Sequence, residues 1–321
     1  MKNRFLLICL LVQSCVAIDN DLPNVNQTGK WTLYDTQSGL PSNTFCAIAT
    51  DKQGVLWVAF TDAGVASYEN EQWTVYNTSN SGLLSNRVTC LLAGSLGGMY
   101  IGTEVGLSIR YTDGSWDTYT GVNPHIETMH LHSMKFISDN EIWLGTNNGY
   151  YVFYDNGDIW RKSIVNAAIV SAIEKDARGN IWAGTYKGLF RFIANNQFSR
   201  EIDAINVKSL FCDSKNRLWI GTQGDMPLGW LDASLRFRTI PYMADPRQMS
   251  VNQIFEDRAN HIWFATSGNG LIMYDNVLSH FYAEYTGFYE NDVNAIGQDK
   301  DGNLWFGLNT KGLLKYELPV Q

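Results

Sequence analysis

Apolar and polar positions along this chain alternate in short blocks. Runs such as Trp143-Leu144-Gly145-Thr146 and Trp219-Ile220-Gly221-Thr222 follow a polar turn and lead into a glycine. They are too short for helices, and continuous apolarity over four or five residues predicts strands buried on both faces. Versions of one such motif occur seven times, centred on Trp57, Tyr100, Trp143, Trp182, Trp219, Trp263 and Trp305, with gaps of 43, 43, 39, 37, 44 and 42 residues. Strand-like content at a period of about 40–45 residues predicts the blades of a β-propeller.

Each part of the motif has a mechanical reason. The turn before the buried run reads Asp51-Lys52-Gln53-Gly54, Asp176-Ala177-Arg178-Gly179, Asp213-Ser214-Lys215-Asn216, Asp257-Arg258-Ala259-Asn260 and Asp299-Lys300-Asp301-Gly302. An Asp carboxylate accepts from the backbone two residues on, and the following Gly or Asn closes the hairpin at positive φ. The small residue after the buried run admits a neighbouring sheet. A second glycine, at Gly64, Gly106, Gly149, Gly188, Gly270 and Gly312, turns the chain into a third strand ending on an aromatic such as Tyr68, Phe192 or Tyr316. The fifth copy lengthens this turn with Gly224-Asp225-Met226-Pro227-Leu228-Gly229.

A fourth strand opening on an aromatic follows six copies, at Trp73, Trp116, Trp160, Phe198, Phe237 and Phe281. The seventh copy has none before Gln321, whereas an unattached one, Trp31-Thr32-Leu33-Tyr34, precedes the first motif. The expected fold is therefore all-β, a seven-bladed β-propeller of four-stranded antiparallel blades over 31–321, closed by its N-terminal strand, which removes the open sheet edges.

The first 17 residues have the form of a signal peptide, with Lys2 and Arg4 ahead of the apolar run Phe5–Val12. Two cleavage readings stand side by side: Val12-Gln13-Ser14-Cys15 resembles a lipobox, with lipidation of Cys15, and Cys15-Val16-Ala17 suits a plain signal peptidase. Residues 18–30 then form a polar tether, and membrane contact is expected only through a lipid anchor. A net charge of −8 argues against nucleic acid as partner. Cys46, Cys90 and Cys212 remain beyond the leader. Cys46 and Cys90 fall on adjacent blades, where a bridge is conceivable, but buried thiols are the expectation.

Repeats of the form Val-x-x-Ile-x-x-Asp-x-x-Gly-x-Leu-Trp-x-Gly-x-x-x-x-Gly-Leu-x-x-Tyr, fullest from Val293 to Tyr316, resemble the two-component regulator propeller repeats of bacterial sensor proteins. The resemblance implies an extracytoplasmic sensing propeller, in systems that often respond to polysaccharide breakdown products. Family members typically continue into an immunoglobulin-like module, a membrane helix and a kinase. None of these follows Gln321, so either a separate membrane sensor kinase is the implied partner or the chain is a shortened relative.

Chemistry is sparser. The first strand of each blade lines the channel, and with Val88, Leu131, Val170, Val207, Val251 and Val293 in register, the next residues form a ring of Cys46, Thr89, His132, Ser171, Lys208, Asn252 and Asn294. Such a polar mouth suits a saccharide or peptide, or else only water. The segment His125-Ile126-Glu127-Thr128-Met129-His130-Leu131-His132 clusters metal-ligand types, but a site needs three or four converging ligands, and a chance rim cluster is the expectation. Asp299-Lys300-Asp301-Gly302-Asn303 lacks the later bidentate Glu of a calcium loop and is read as a turn. His261 sits in a hairpin turn; Trp160 and Trp230 are the aromatics that could stack on a sugar, with packing the plainer fate.

Two function classes follow. The first is an exported, non-catalytic recognition module without cofactor, using the ring and two loops, 120–130 and 225–230, as contact surfaces. The second is an enzyme similar to the streptogramin lyases, which share a seven-bladed ring. Trp263-Phe264-Ala265-Thr266 and Trp305-Phe306-Gly307-Leu308 lack the glutamate that this resemblance requires.

Overall fold

The buried runs pair as the alternation demands. A computed structural model describes residues 29–95, 97–120, 130–154, 161–163, 169–194, 197–224, 228–240, 249–282 and 290–317. They form seven four-stranded antiparallel sheets, six with their strands in chain order. Blades 1 to 6 occupy 45–76, 88–120, 131–163, 170–203, 207–239 and 250–281. Blade 7 takes three strands from 293–317 and its outer strand from Lys30–Tyr34. Trp31 lies opposite Tyr316 and Thr32 opposite Lys315. The Trp31 ring packs 4.3 Å from Tyr316 and 5.9 Å from Phe306, so the closure expected from the sequence is present.

The hydrophobic core lies between blades rather than within one. Among the described residues it divides into seven clusters, each joining two neighbouring blades. Trp182 of blade 4 packs with Val207 and Leu218 of blade 5, and Trp305 of blade 7 with Phe45 and Phe60 of blade 1. The second strands Leu56–Phe60, Ile181–Thr185, Leu218–Thr222 and Leu304–Leu308 are buried throughout. Close approach needs the small residue: a Cβ on Gly184 would lie 2.5 Å from Val207 Cγ1. At Gly312, φ is +122° and a Cβ would meet the Tyr34 carbonyl at 2.4 Å, so the turn into the third strand admits only glycine.

The Asp turns do what their sequence predicts, and more. One carboxylate oxygen of Asp51, Asp176, Asp213, Asp257 and Asp299 accepts from the backbone N–H two residues on, at 2.9–3.0 Å. The other accepts from the indole N–H six residues on, that of Trp57, Trp182, Trp219, Trp263 and Trp305, at 2.8–3.1 Å. In blade 3 Glu141 serves Trp143 at 2.6 Å. Blade 2 has Tyr100 in place of the Trp and Gly94-Ser95 where the Asp turn would begin, so it lacks the unit. Asp299 is fully engaged, also accepting from Asn303, as an ordinary turn residue is.

One expectation needs correction. Phe281 closes the fourth strand of blade 6, opposite Leu271, rather than opening it. A shorter turn through Asn276, at φ 87°, brings Leu278 opposite Tyr274, the place that Trp73 holds opposite Tyr68 in blade 1. The leader with Cys15, the tether up to residue 28, and His125, Glu127, Trp160 and Asp225 to Pro227 lie outside the described residues.

Candidate functional site at the channel mouth

A strand that curves round a channel must somewhere break its ladder. All seven inner strands share one slip of register: between Phe45 and Ala47, Val88 and Cys90, Leu131 and Ser133, Val170 and Ala172, Val207 and Ser209, Val251 and Gln253, and Val293 and Ala295, with a second slip in blade 3 between Phe136 and Ser138. The residue skipped at the shared slip is the ring residue, so Cys46, Thr89, His132, Ser171, Lys208, Asn252 and Asn294 are seven bulges. A bulge re-aims its side chain, and all seven line one cavity of about 270 Å³. The seven residues that the sequence register puts in one ring thus line one cavity, and the bulge that aims them into it was not anticipated.

Most of the ring also joins blades. The Cys46 thiol donates to the Val88 carbonyl (3.2 Å), the Ser171 hydroxyl to that of Val207 (2.5 Å), Asn252 Nδ2 to that of Val293 (2.9 Å) and Asn294 Nδ2 to that of Phe45 (3.1 Å). Each is a bond from a bulge to the first inner-strand residue of the next blade, and the last crosses the closure of the ring. In blade 5 the neighbouring Ser209 makes this bond, to Val251 at 2.9 Å, and Lys208 is left exposed with no hydrogen-bond partner among the described residues.

Three ring members therefore retain polar groups not committed to another blade. Among the described residues the Thr89 hydroxyl makes only a 3.8 Å contact with Cys90 Sγ. His132 Nε2 meets Asn147 Oδ1 at 2.5 Å, and its ring stacks on His130 with centroids 4.6 Å apart. Burial holds the His132 imidazole below the ordinary histidine range; the Asn147 bond opposes this, and repulsion from His130 and Lys208 adds to it. The mouth thus carries one fixed cation, a titratable imidazole close enough to sense it, and a hydroxyl. Among the described residues, no three His, Cys, Asp or Glu side chains converge on a point that could hold a metal.

The other candidates are accounted for by packing. Cys46, Cys90 and Cys212 are free thiols; burial raises Cys46 well above the usual thiol range and pushes Cys90 up to about 12, which leaves both protonated and unreactive. The Trp230 ring packs tilted against Trp219, centroids 4.9 Å apart, with the Arg217 guanidinium over both, and His261 Nδ1 bonds Asp257 at 2.9 Å.

Fold and mouth together define a seven-bladed propeller with a polar central channel. Three stretches of it, residues 39–62, 202–224 and 290–310, match the model of the two component regulator propeller family. Among solved structures, the extracellular domain of BT3049 from B. thetaiotaomicron, described as part of a hybrid two component system, is similar with a TM-score of 0.75 at 16% identity over 89% of this chain and 41% of that one. This chain therefore spans about two fifths of that sensor structure. A catalytically inactive virginiamycin B lyase from Staphylococcus aureus with quinupristin has a TM-score of 0.74 at 15% identity, covering 90% of this chain and 99% of that one. YCF48 from Cyanidioschyzon merolae follows at 0.69 and 13%, covering 89% and 98%. No curated protein sequence matches the chain. At these identities the likenesses establish the ring and nothing about its ligand.

Proposed function

We propose that this protein is an exported, non-catalytic recognition propeller that captures a saccharide or peptide at the channel mouth and reports it to a membrane sensor kinase. On this reading residues 1–17 direct export, Cys15 is the site of lipidation where the lipobox is used, 18–30 are the tether, and the ring begins at residue 31. The observation that carries the proposal is the division of labour in the mouth. Ser171, Asn252 and Asn294 fix the rim by bonding neighbouring blades, whereas Thr89, His132 and Lys208 turn groups without inter-blade duty into the same cavity. A rigid frame around a few free polar groups is what selective capture of a small polar ligand needs. The family repeats support a sensing role.

The lyase-like alternative rests on fold alone, since Thr266 and Leu308, which follow Trp263-Phe264-Ala265 and Trp305-Phe306-Gly307, stand where its resemblance calls for a glutamate. The test is a thermal-shift screen of oligosaccharides and short peptides, followed by titration of a paired Lys208→Ala, His132→Ala variant. Loss of at least about tenfold in affinity is expected, with the melting temperature of the free protein retained. A hit whose affinity is the same in the double variant would remove the mouth as the binding place.

A further inference from the structure

Blade 2 breaks the repeat in three places at once, and the breaks meet. It lacks the Asp turn, it has Tyr100 for the Trp, and its third strand ends on Arg110. Arg110 lies opposite Met99, in the slot held by Tyr68 opposite Leu56, Phe153 opposite Ile142, Tyr274 opposite Ile262 and Tyr316 opposite Leu304. In that slot the aromatic can pack on the preceding blade's Trp, as Tyr68 does on Trp305 (5.4 Å) and Tyr274 on Trp219 (5.5 Å). Arg110 instead lays its guanidinium over Trp57 (5.3 Å) and Tyr76 (5.0 Å).

The substitution leaves space and unused hydrogen-bonding capacity. A cavity of about 370 Å³ opens between blades 1 and 2, with Arg110 on its wall beside Gln53, Ser67, Thr74 and Thr112. The guanidinium offers five N–H donors. Among the described residues its Nε is buried without a partner, and its one hydrogen bond is a long 3.4 Å contact from Nη1 to the Tyr111 carbonyl. Filling an aromatic slot does not require a cation with so little of its bonding satisfied, and leaving it so is costly.

We propose that the cleft between blades 1 and 2 is a second binding site, for a monosaccharide-sized polyhydroxylated molecule carrying a single carboxylate. The carboxylate pairs with the terminal nitrogens of Arg110, which can take both of its oxygens. The hydroxyl and amide groups of Gln53, Ser67, Thr74 and Thr112 meet the ligand's hydroxyls. Glu69 and Asp51 stand on the same wall and repel a dianion about twice as strongly as a monoanion, which favours a carboxylate over dianionic phosphate. The site is separate from the channel mouth, and its success or failure is independent of that reading.

The experiment is titration of the full chain with glucuronate, followed by Trp fluorescence or calorimetry, with glucose, acetate and inorganic phosphate as comparisons. Glucuronate is expected to bind with a dissociation constant of about 1 mM or tighter, at least about tenfold better than any of the three. Arg110→Tyr restores the residue that blades 1, 6 and 7 carry in this slot, so the variant should fold and lose binding at least about tenfold. Thr74→Trp, on an exposed strand position, should block the cleft without touching Arg110. The proposal is overturned by absence of saturable binding, by glucose or phosphate binding equally well, or by undiminished binding in both cleft variants.

Discussion

The smallest unit of this architecture is an Asp and a Trp six residues apart. One carboxylate oxygen shapes the hairpin and the other caps an indole that would otherwise bury its N–H unpaired. Asp213 shows the full load: its side chain is sealed from solvent, pairs with Arg217, and accepts from Trp219 at 2.8 Å. Asp213→Ala strands both donors, and removing one partner of a buried pair costs about 3–5 kcal/mol. The urea midpoint should fall accordingly, and a loss under about 1 kcal/mol would mean that the turn tolerates the vacancy. The backbone half of the unit was legible in the sequence, because an Asp before Gly or Asn has one common local use. The indole half was also written there, as a constant six-residue spacing present where the Trp follows an Asp turn, but spacing alone does not say which polar atoms a fold buries. His132 and His280 carry a second prediction at this scale, since burial holds both below the ordinary value of 6.5. The unfolded chain then binds protons that the folded chain refuses. Stability is complete above about pH 6.5 and falls as the pH drops from there toward each folded value. A urea midpoint lower at pH 5.5 than at pH 7.5 is expected, with the fall reduced in a His132→Gln, His280→Gln variant.

At the scale of the strand, the bulge decides which inner-strand side chains face the channel. Pattern analysis placed the seven ring residues in register, since the buried run that anchors the register is strong. It could not see the bulge, because a skipped pairing changes no residue type. Nor could it separate frame from free groups: Ser, Asn, Thr and Lys are equally polar on paper, and only the distance to the next blade's carbonyl sorts them. That sorting is testable. Ser171→Ala removes a hydroxyl whose single proton is shared between the carbonyls of Gly184 (3.0 Å) and Val207 (2.5 Å), takes this inter-blade donor from Val207, and should cost about 1–3 kcal/mol. Lys208→Ala, one blade on, should stay within about 0.5 kcal/mol because the inter-blade bond there belongs to Ser209. Equal losses in the two would show that the ring acts as one structural belt.

For the whole molecule the governing fact is that seven sheets share seven interfaces, so no blade is an end. Trp31–Tyr34 completes blade 7 from the far side of the sequence, and Asn294, donating to the Phe45 carbonyl, bonds across the same junction at the channel. The two contacts make closure a matter of geometry rather than of chain order. Because Lys30 stands opposite Glu317, an Asn-Gly turn can join them into a hairpin, and new termini can open in the exposed turn at Asp113 and Gly114. That permutant keeps every sheet and every interface and only moves the junction into blade 2, between its third and fourth strands. It should fold as the parent does and melt within a few degrees of it. Deleting residues 1–34 instead bares the edge strand Leu313–Glu317 and uncovers Phe306 and Tyr316. An open, partly apolar edge recruits another strand, so the truncated chain should melt lower and elute at a size that grows with concentration. If the truncation stayed monomeric and melted like the parent, closure would be incidental, and the stability of the ring would have to come from the six interfaces between consecutive blades.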